Sequence, residues 1–200
     1  LGVPFSEGFI EKFYLEYFML GIQNEAYLDN TLIAAGHSYQ TSEPAVTITM
    51  NGEIKKSINK SFAEQGDLIY LSKPLGTGYL IAAYYQNSRL MQISDFKKII
   101  QHLKKDNRFA AGAGISIKTK VMTDISGFGL ASHLADICQS SQLTAQIRLK
   151  KDLLINDNIQ ILKKYKSSGY QNNIQAVSSM VLIDNHNLYQ NILYDPQTNG

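Results

Sequence analysis

Asp124 is the residue of this sequence best placed to do chemistry. It stands in residues 123–130, Thr-Asp-Ile-Ser-Gly-Phe-Gly-Leu, after an apolar approach at Val121 and Met122 and ahead of a periodic stretch. The pattern predicts a strand, a sharp glycine turn and a helix start. A carboxylate at a strand end, beside backbone amides freed by Gly127 and Gly129, is suited to hold a divalent cation that itself holds phosphates. The same residues admit a plainer reading, in which Asp124 or Ser126 caps the helix that follows.

Two further stretches bear on an anion. Gly36, His37 and Ser38 close a short apolar run and can present amides and a hydroxyl to a phosphate, although such a loop is usually only a loop. Residues 73–78, Lys-Pro-Leu-Gly-Thr-Gly, follow another apolar run. The glycines there can let amides approach an anion and Lys73 can supply charge, but the Gly-Lys-Ser/Thr ending of a Walker A loop is missing, and a plain strand-to-helix turn is an equal reading. His133 falls on or beside an apolar stripe and reads as a hydrogen-bonded core or cap histidine rather than a base. Cys138 lies on the same stripe, where a free thiol behaves as a small buried hydrophobe.

The elements that must position these residues are predicted as follows. The chain has 200 residues, 44% of them hydrophobic and 18% charged, with a net charge of +2. That is enough for one large domain or two small ones with a buried core. The mild lysine clusters lack interleaved aromatics, which reads as solvated helix faces and not as a nucleic-acid surface. A single cysteine excludes an internal disulfide and a cysteine-based zinc cluster and suits a reducing cytoplasm. No apolar run reaches the ~18 residues of a membrane span. The start at Leu1 and the stop in a turn-like sequence read as a piece of a longer protein.

In order, residues 1–4 predict a strand end. A helix opening at Ser6 and Glu7 and reaching Leu28 shows Phe9, Phe13, Tyr17 and Leu20 on one buried face. Strands are predicted at 31–35, at 45–50, where Val46, Ile48 and Met50 alternate with Thr47 and Thr49, and at 68–71. A domain boundary is placed around 53–66. A helix-compatible run covers 79–86, and one long helix covers 94–116, capped by Ser94, with Phe96, Ile99, Ile100 and Leu103 inward. The small residues 110–113 and Gly114 at its tail allow another backbone to approach near the Asp124 corner. A helix to about Ser141, a strand at 143–149, a helix at 158–165, a polar loop at 170–173, a strand at 176–183 and a turn at 193–200 complete the reading.

Ala-Gly-His-Ser at 35–38, Lys-Pro-Leu-Gly-Thr-Gly at 73–78, the 123–130 motif with His133 and Leu134 after it, and Asp-Pro-Gln-Thr-Asn-Gly at 195–200 stand in the order and spacing of one family. On these motifs, with the 1–4 start and the Asn173 loop, nearly the whole chain resembles the selenophosphate synthetases (selenide, water dikinases). The first motif and the Asn51-Gly52 turn are most similar to the synthetase domains fused behind a flavin-containing NADH dehydrogenase-like module.

The resemblance implies an α/β (α+β) chain with the two-domain fold of the aminoimidazole ribonucleotide synthetase superfamily. Residues 1–58 are then the end of an N-terminal ATP-binding and dimerisation domain, and 59–200 a C-terminal α+β domain. It implies a homodimer that turns ATP, selenide and water into selenophosphate, AMP and phosphate with magnesium, without nucleic acid or membrane. Asp124 matches a magnesium ligand of that family, and Gly36, His37 and Ser38 match a loop that contacts ATP. The ligand role for Asp124 is therefore expected over the cap. The partner aspartates, the reactive Cys or selenocysteine and the essential Lys of the family lie N-terminal to Leu1, so residues 1–200 alone are expected to bind ATP poorly and to do no chemistry. Tyr39 and Gln40 stand where the family often has an acid, and Ser126 and Asn199 replace commoner Thr and Ser. Two other readings are a non-catalytic dimerisation or regulatory domain of the same fold, and another ATP-using small-molecule kinase of the superfamily.

Overall fold

The computed structural model describes residues 2–4, 9–41, 45–54, 57–86, 89–183 and 187–199. The chain folds as two compact units, Leu1–Lys55 and Lys56–Gly200. The predicted helix opening at Ser6 and Glu7, and Gly200, lie outside the described residues.

In the first unit, β1 (Gly2–Pro4) pairs in parallel with β2 (Tyr39–Thr41), with Val3 opposite Gln40. Between them runs α1 (Phe9–Leu28). The period that predicts this helix holds, but its aromatic face is not buried. Phe13 is 48% exposed and Tyr17 60%, and their rings pack on each other with centroids 4.4 Å apart. A stripe is covered only where another element lies over it, and none of the described elements covers this one.

The second unit holds the core. Its helices are α2 (Thr77–Tyr85), α3 (Ile93–Leu103), α4 (Arg108–Ser116), α5 (Gly129–Ser141), α6 (Ile159–Lys164) and α7 (Tyr170–Val177). Single 3₁₀ turns at Lys151–Leu153 and Gln190–Tyr194 connect them. Leu75, Tyr79, Leu80, Ile99, Ile161, Leu162 and Ile192 are essentially sealed from solvent and join α2, α3, α6 and the second 3₁₀ turn in one cluster. The packing gathers the N-terminus of α2 and the approach to α5 around residues 195–198.

Several predicted elements are corrected. The single helix at 94–116 is two, because Asp106 accepts from the Arg108 amide at 2.8 Å and turns the chain there. The α3 cap is Gln92, whose side chain pairs reciprocally with Asp95 in a capping box, and Ser94 lies inside the helix. The polar loop at 170–173 is the first turn of α7, with Tyr170, Asn173 and Val177 inward at helical spacing. That helix and the turn after it occupy 176–180, so the predicted strand at 176–183 is absent among the described residues. Residues 31–35, 45–50, 68–71 and 143–149 likewise join no ladder there. Strands need a partner, and outside β1 and β2 the described residues show single bridges, among them Asn59 with Val121 and Leu75 with Leu154, while Ala45 also stands in a single bridge. Gly114 packs against the Met122 side chain and not against a backbone, since a Cβ there would lie 1.9 Å from the Met122 methyl. No described helix is long and apolar enough to cross a membrane.

Candidate functional site

Asp124 lies in the second unit with an exposed carboxylate that has no hydrogen-bond partner among the described residues. It does not cap α5. The residue before that helix is Phe128, and no side chain bonds the first amides of α5. The capping alternative therefore fails for Asp124 and for Ser126. The Asp124 carbonyl accepts from the Thr123 hydroxyl at 3.1 Å.

The loop around this exposed carboxylate is held from three sides. The Ser126 amide donates to His133 Nε2 at 3.2 Å, and the Ser126 hydroxyl lies at the same distance. Accepting that amide proton leaves the imidazole proton on Nδ1. The buried His133 is held below the usual histidine range by desolvation first and then by Lys60, against the charges of Asp124 and Asp136. It is thus a neutral brace, as its place on the α5 stripe implies. On the second side, the Ser126 carbonyl accepts from the Gln197 amide at 3.1 Å. On the third, the Asn173 side-chain amide donates to the Gly127 carbonyl at 2.9 Å and to the Tyr194 carbonyl at 3.0 Å. Gly129, at φ 75°, faces the Leu193 carbonyl, which would stand 3.0 Å from a Cβ. Only glycine allows residues 193–195 to approach α5 this closely.

The 73–78 turn has its amides filled from within the protein. Gln197 Oε1 accepts from the Gly76 amide at 2.8 Å and from the Thr77 amide and hydroxyl at 3.3 Å. Asp195 Oδ2 accepts from the Gly78 amide at 3.1 Å and from Gln197 Nε2 at 3.0 Å. The Thr77 hydroxyl in turn accepts from the Thr198 amide at 2.8 Å. Lys73 donates to the carbonyls of Lys105 and Asn199 at 2.6 and 2.7 Å. Of the two readings of this turn, the plain turn into a helix is what the geometry supports, although no strand precedes it among the described residues: a buried carboxylate and amide sit where an external anion would go. The Asp195 and Gln197 roles are missed by sequence reasoning. Asp-Pro signals a turn, and nothing in residue type alone says that both polar side chains are buried.

Gly78 fits that carboxylate with no room to spare. A Cβ would stand 2.4 Å from the Pro196 carbonyl oxygen and 2.6 Å from Asp195 Oδ1. Gly78→Ala is expected to destabilise the second unit by about 3 kcal/mol, since backbone and a buried acid must both move. Urea unfolding monitored by far-ultraviolet circular dichroism checks this.

Burial raises the Asp195 pKa from 3.8 to about 7, against the lowering effect of its bonds from Gln197, Gly78 and Tyr79 and of the Lys166 charge. Oδ2 receives the Gly78 and Gln197 donors and Oδ1 has no partner, so the proton belongs on Oδ1. Between these two values the folded chain keeps a proton that the unfolded chain releases. The contribution of this group is therefore full below about pH 4 and is lost as pH rises through about 7. Asp195→Asn is expected to flatten that dependence, which urea midpoints at pH 5 and pH 8 measure.

Gly36, His37 and Ser38 lie in the first unit, exposed and outside helix or ladder. A Cβ at Gly36 would meet nothing within 4 Å, so this glycine is not demanded by packing. Among the described residues no three His, Cys, Asp or Glu side chains are grouped to hold a metal ion. Asp124 suits a metal as one ligand among others, with its carboxylate open and its loop braced. Cys138 is a half-buried free thiol.

A family model described as AIR synthase related protein, C-terminal domain, matches residues 64–173, more than half of the chain. Selenide, water dikinase of Treponema denticola is 28% identical over 182 residues, covering 88% of this chain and 51% of the relative. That of Clostridioides difficile is 29% identical over 174 residues, covering 84% and 49%. Selenide, water dikinase 2 of Peptoclostridium acidaminophilum is 30% identical over 174 residues, with the same coverage. The chain spans about half the length of the curated relatives it matches. Residues 64–173, within the mixed, mostly helical second unit, match the C-terminal domain of the AIR synthase-like fold, and the chain belongs to the AIR synthase related family, on the branch similar to the selenide, water dikinases.

Proposed function

We propose that the whole protein makes selenophosphate, AMP and phosphate from ATP, selenide and water, with Asp124 as a magnesium ligand and Gly36, His37 and Ser38 contacting ATP. The observation that carries this is the open Asp124 carboxylate on a loop fixed by His133, Asn173 and Gln197, in a chain similar to proteins named selenide, water dikinase. A carboxylate used only for capping or pairing would have a partner. Magnesium bound there neutralises phosphate charge. Asp124 supplies one anionic oxygen to that end, and the 36–38 loop supplies amides and a hydroxyl to phosphate oxygens. Since one carboxylate does not fill a magnesium shell, other protein groups, phosphate and water complete it.

In this reading residues 1–58 belong to the ATP-binding and dimerisation domain and 59–200 to the C-terminal domain. The exposed aromatic face of α1 supports a homodimer, and a single free cysteine suits a reducing cytoplasm. The test is phosphorus NMR of the full-length protein with ATP and magnesium, with and without selenide. Selenide-dependent selenophosphate together with AMP supports the reading. ADP as the main product replaces it with a related kinase, and unchanged ATP from a folded dimer replaces it with a non-catalytic scaffold. Residues 1–200 alone are expected to show no micromolar, magnesium-dependent ATP binding, as measured by isothermal titration calorimetry.

A further inference from the structure

We infer that Asn173 is the positioning residue of the Asp124 loop, an inference that rests on Asp124 being a metal ligand. A ligand on a loop has to be held to within about 0.5 Å of its working position, and that precision comes from the groups behind it. Here the loop has little stiffness of its own. A Cβ at Gly127 would meet nothing within 4 Å, and the Asp124 carboxylate is exposed. Its direction must come from hydrogen bonds to the backbone that follows the buried Ile125, at Ser126 and Gly127.

Among the described residues the side chains of His133 and Asn173 hold this backbone, and that of Asn173 also joins it to the Tyr194 carbonyl. Asn173 is 5% exposed and projects inward from the first turn of α7. Its Nδ2 spends both protons on carbonyls, Gly127 at 2.9 Å and Tyr194 at 3.0 Å. Tyr194 immediately precedes Asp195, which holds the Gly78 amide of α2. One buried amide thus ties the metal-ligand loop to the segment that fixes the start of α2. The chemistry of the position is specific. Two carbonyls, the half-buried one of Gly127 and the buried one of Tyr194, take two donors from one short side chain, which a primary amide supplies, whereas a carboxylate, a hydroxyl or an alkyl group of similar size does not. Without Asn173 both carbonyls lose a partner, and the Gly127 side of the loop is free to turn.

The test uses the full-length protein with Mn2+ as the probe, free Mn2+ being counted by electron paramagnetic resonance in the presence of ATP. Thermal unfolding is followed on the same samples. Asn173→Asp keeps the shape and removes the donors, and it is expected to raise the Mn2+ Kd by about 10–100-fold, the range seen when a group behind a metal ligand is lost. Should that variant not fold, Asn173→Leu, neutral and of similar size, carries the same comparison. Val177→Ala, on the same helix and without a bond to the loop, is the control: it is expected to lower the melting temperature and leave the Mn2+ Kd unchanged. An Mn2+ Kd within twofold of the parent in a folded Asn173 variant overturns the inference, as does an equal rise in Val177→Ala. Asp124→Asn separates the two claims. If it weakens Mn2+ binding and the Asn173 variants do not, the positioning role alone falls; if it has no effect on Mn2+ binding, the ligand reading falls and the positioning role with it.

Discussion

Asp124→Asn in the full-length protein is expected to abolish selenide-dependent formation of selenophosphate while the protein stays folded. The substitution changes one oxygen to an amide nitrogen at an exposed side chain that makes no hydrogen bond among the described residues, so stability has little reason to change. The effect on the reaction is another matter. A cation that screens several phosphate oxygens contributes several kcal/mol to the charge balance of the transition state. Losing an anionic ligand is therefore expected to lower the rate by on the order of 10³-fold, each 1.36 kcal/mol being tenfold. Single-turnover assays at saturating ATP, alongside a melting curve, read both quantities. Activity within tenfold of the parent, from folded protein, would remove the proposed ligand role of Asp124.

Gln197→Leu is expected to produce the largest loss of stability of any single polar substitution in the second unit. The side chain accepts from the Gly76 and Thr77 amides and donates to both the carbonyl and the carboxylate of Asp195. Leu fills the space and bonds none of them. Leaving buried donors and acceptors unpaired costs about 1–3 kcal/mol apiece. Even with partial relaxation the sum approaches about 5 kcal/mol, comparable with the whole stability of a small domain. Gln197→Glu keeps the acceptor for the two amides and places a second carboxyl beside Asp195, so its loss is expected to be smaller at pH 5 than at pH 8. Urea denaturation of both variants, with hydrogen exchange at the Gly76 and Thr77 amides, tests the assignment. Parent-like protection of those amides in Gln197→Leu would show that Oε1 is not their partner.

The helices were legible where an apolar stripe met a clear boundary. Asn158 before α6 is such a case, its side chain accepting from the Gln160 amide at 3.0 Å as a cap should. Across 104–107 the stripe of α3 runs into α4 without a proline or glycine, and only Asp106 and Asn107, residues that favour turns, mark the break. Periodicity outweighed them. At 170–173 the opposite error arises: Gln171, Asn172 and Asn173 look like a loop because polar residues are assumed to face water, yet Asn173 faces inward with two carbonyls to satisfy. Alternation at 45–50 and 68–71 says which side chains share a face. It cannot say whether a neighbouring strand is present, and Ile48 at 61% and Leu68 at 75% exposure have none beside them among the described residues.

Of the candidate site, the open carboxylate of Asp124 is visible as a motif, while its supports are not. His133 lies seven residues from Ser126, within reach of pattern reading, and its role as a hydrogen-bonded histidine holds. Asn173 is 46 residues from Gly127, and Gln197 is 121 from Gly76. Contacts at such separations follow from the folded path of the chain and leave no local signature.

Those separations also bear on how the chain acquires its structure. The bond from Gly78 to Asp195 closes a span of 117 residues, and that from Lys73 to the Asn199 carbonyl a span of 126. Bonds of this kind yield nothing until the intervening loop has been brought together, so they raise the mean sequence separation of touching residues and slow the search. During synthesis α2 emerges long before residues 195–199 and waits with its first amides facing water. The start of α2 is thus completed late, when residues 195–199 pack back against it, and stopping translation before residue 195 would leave a collapsed intermediate with an open α2 terminus as a substrate for chaperones.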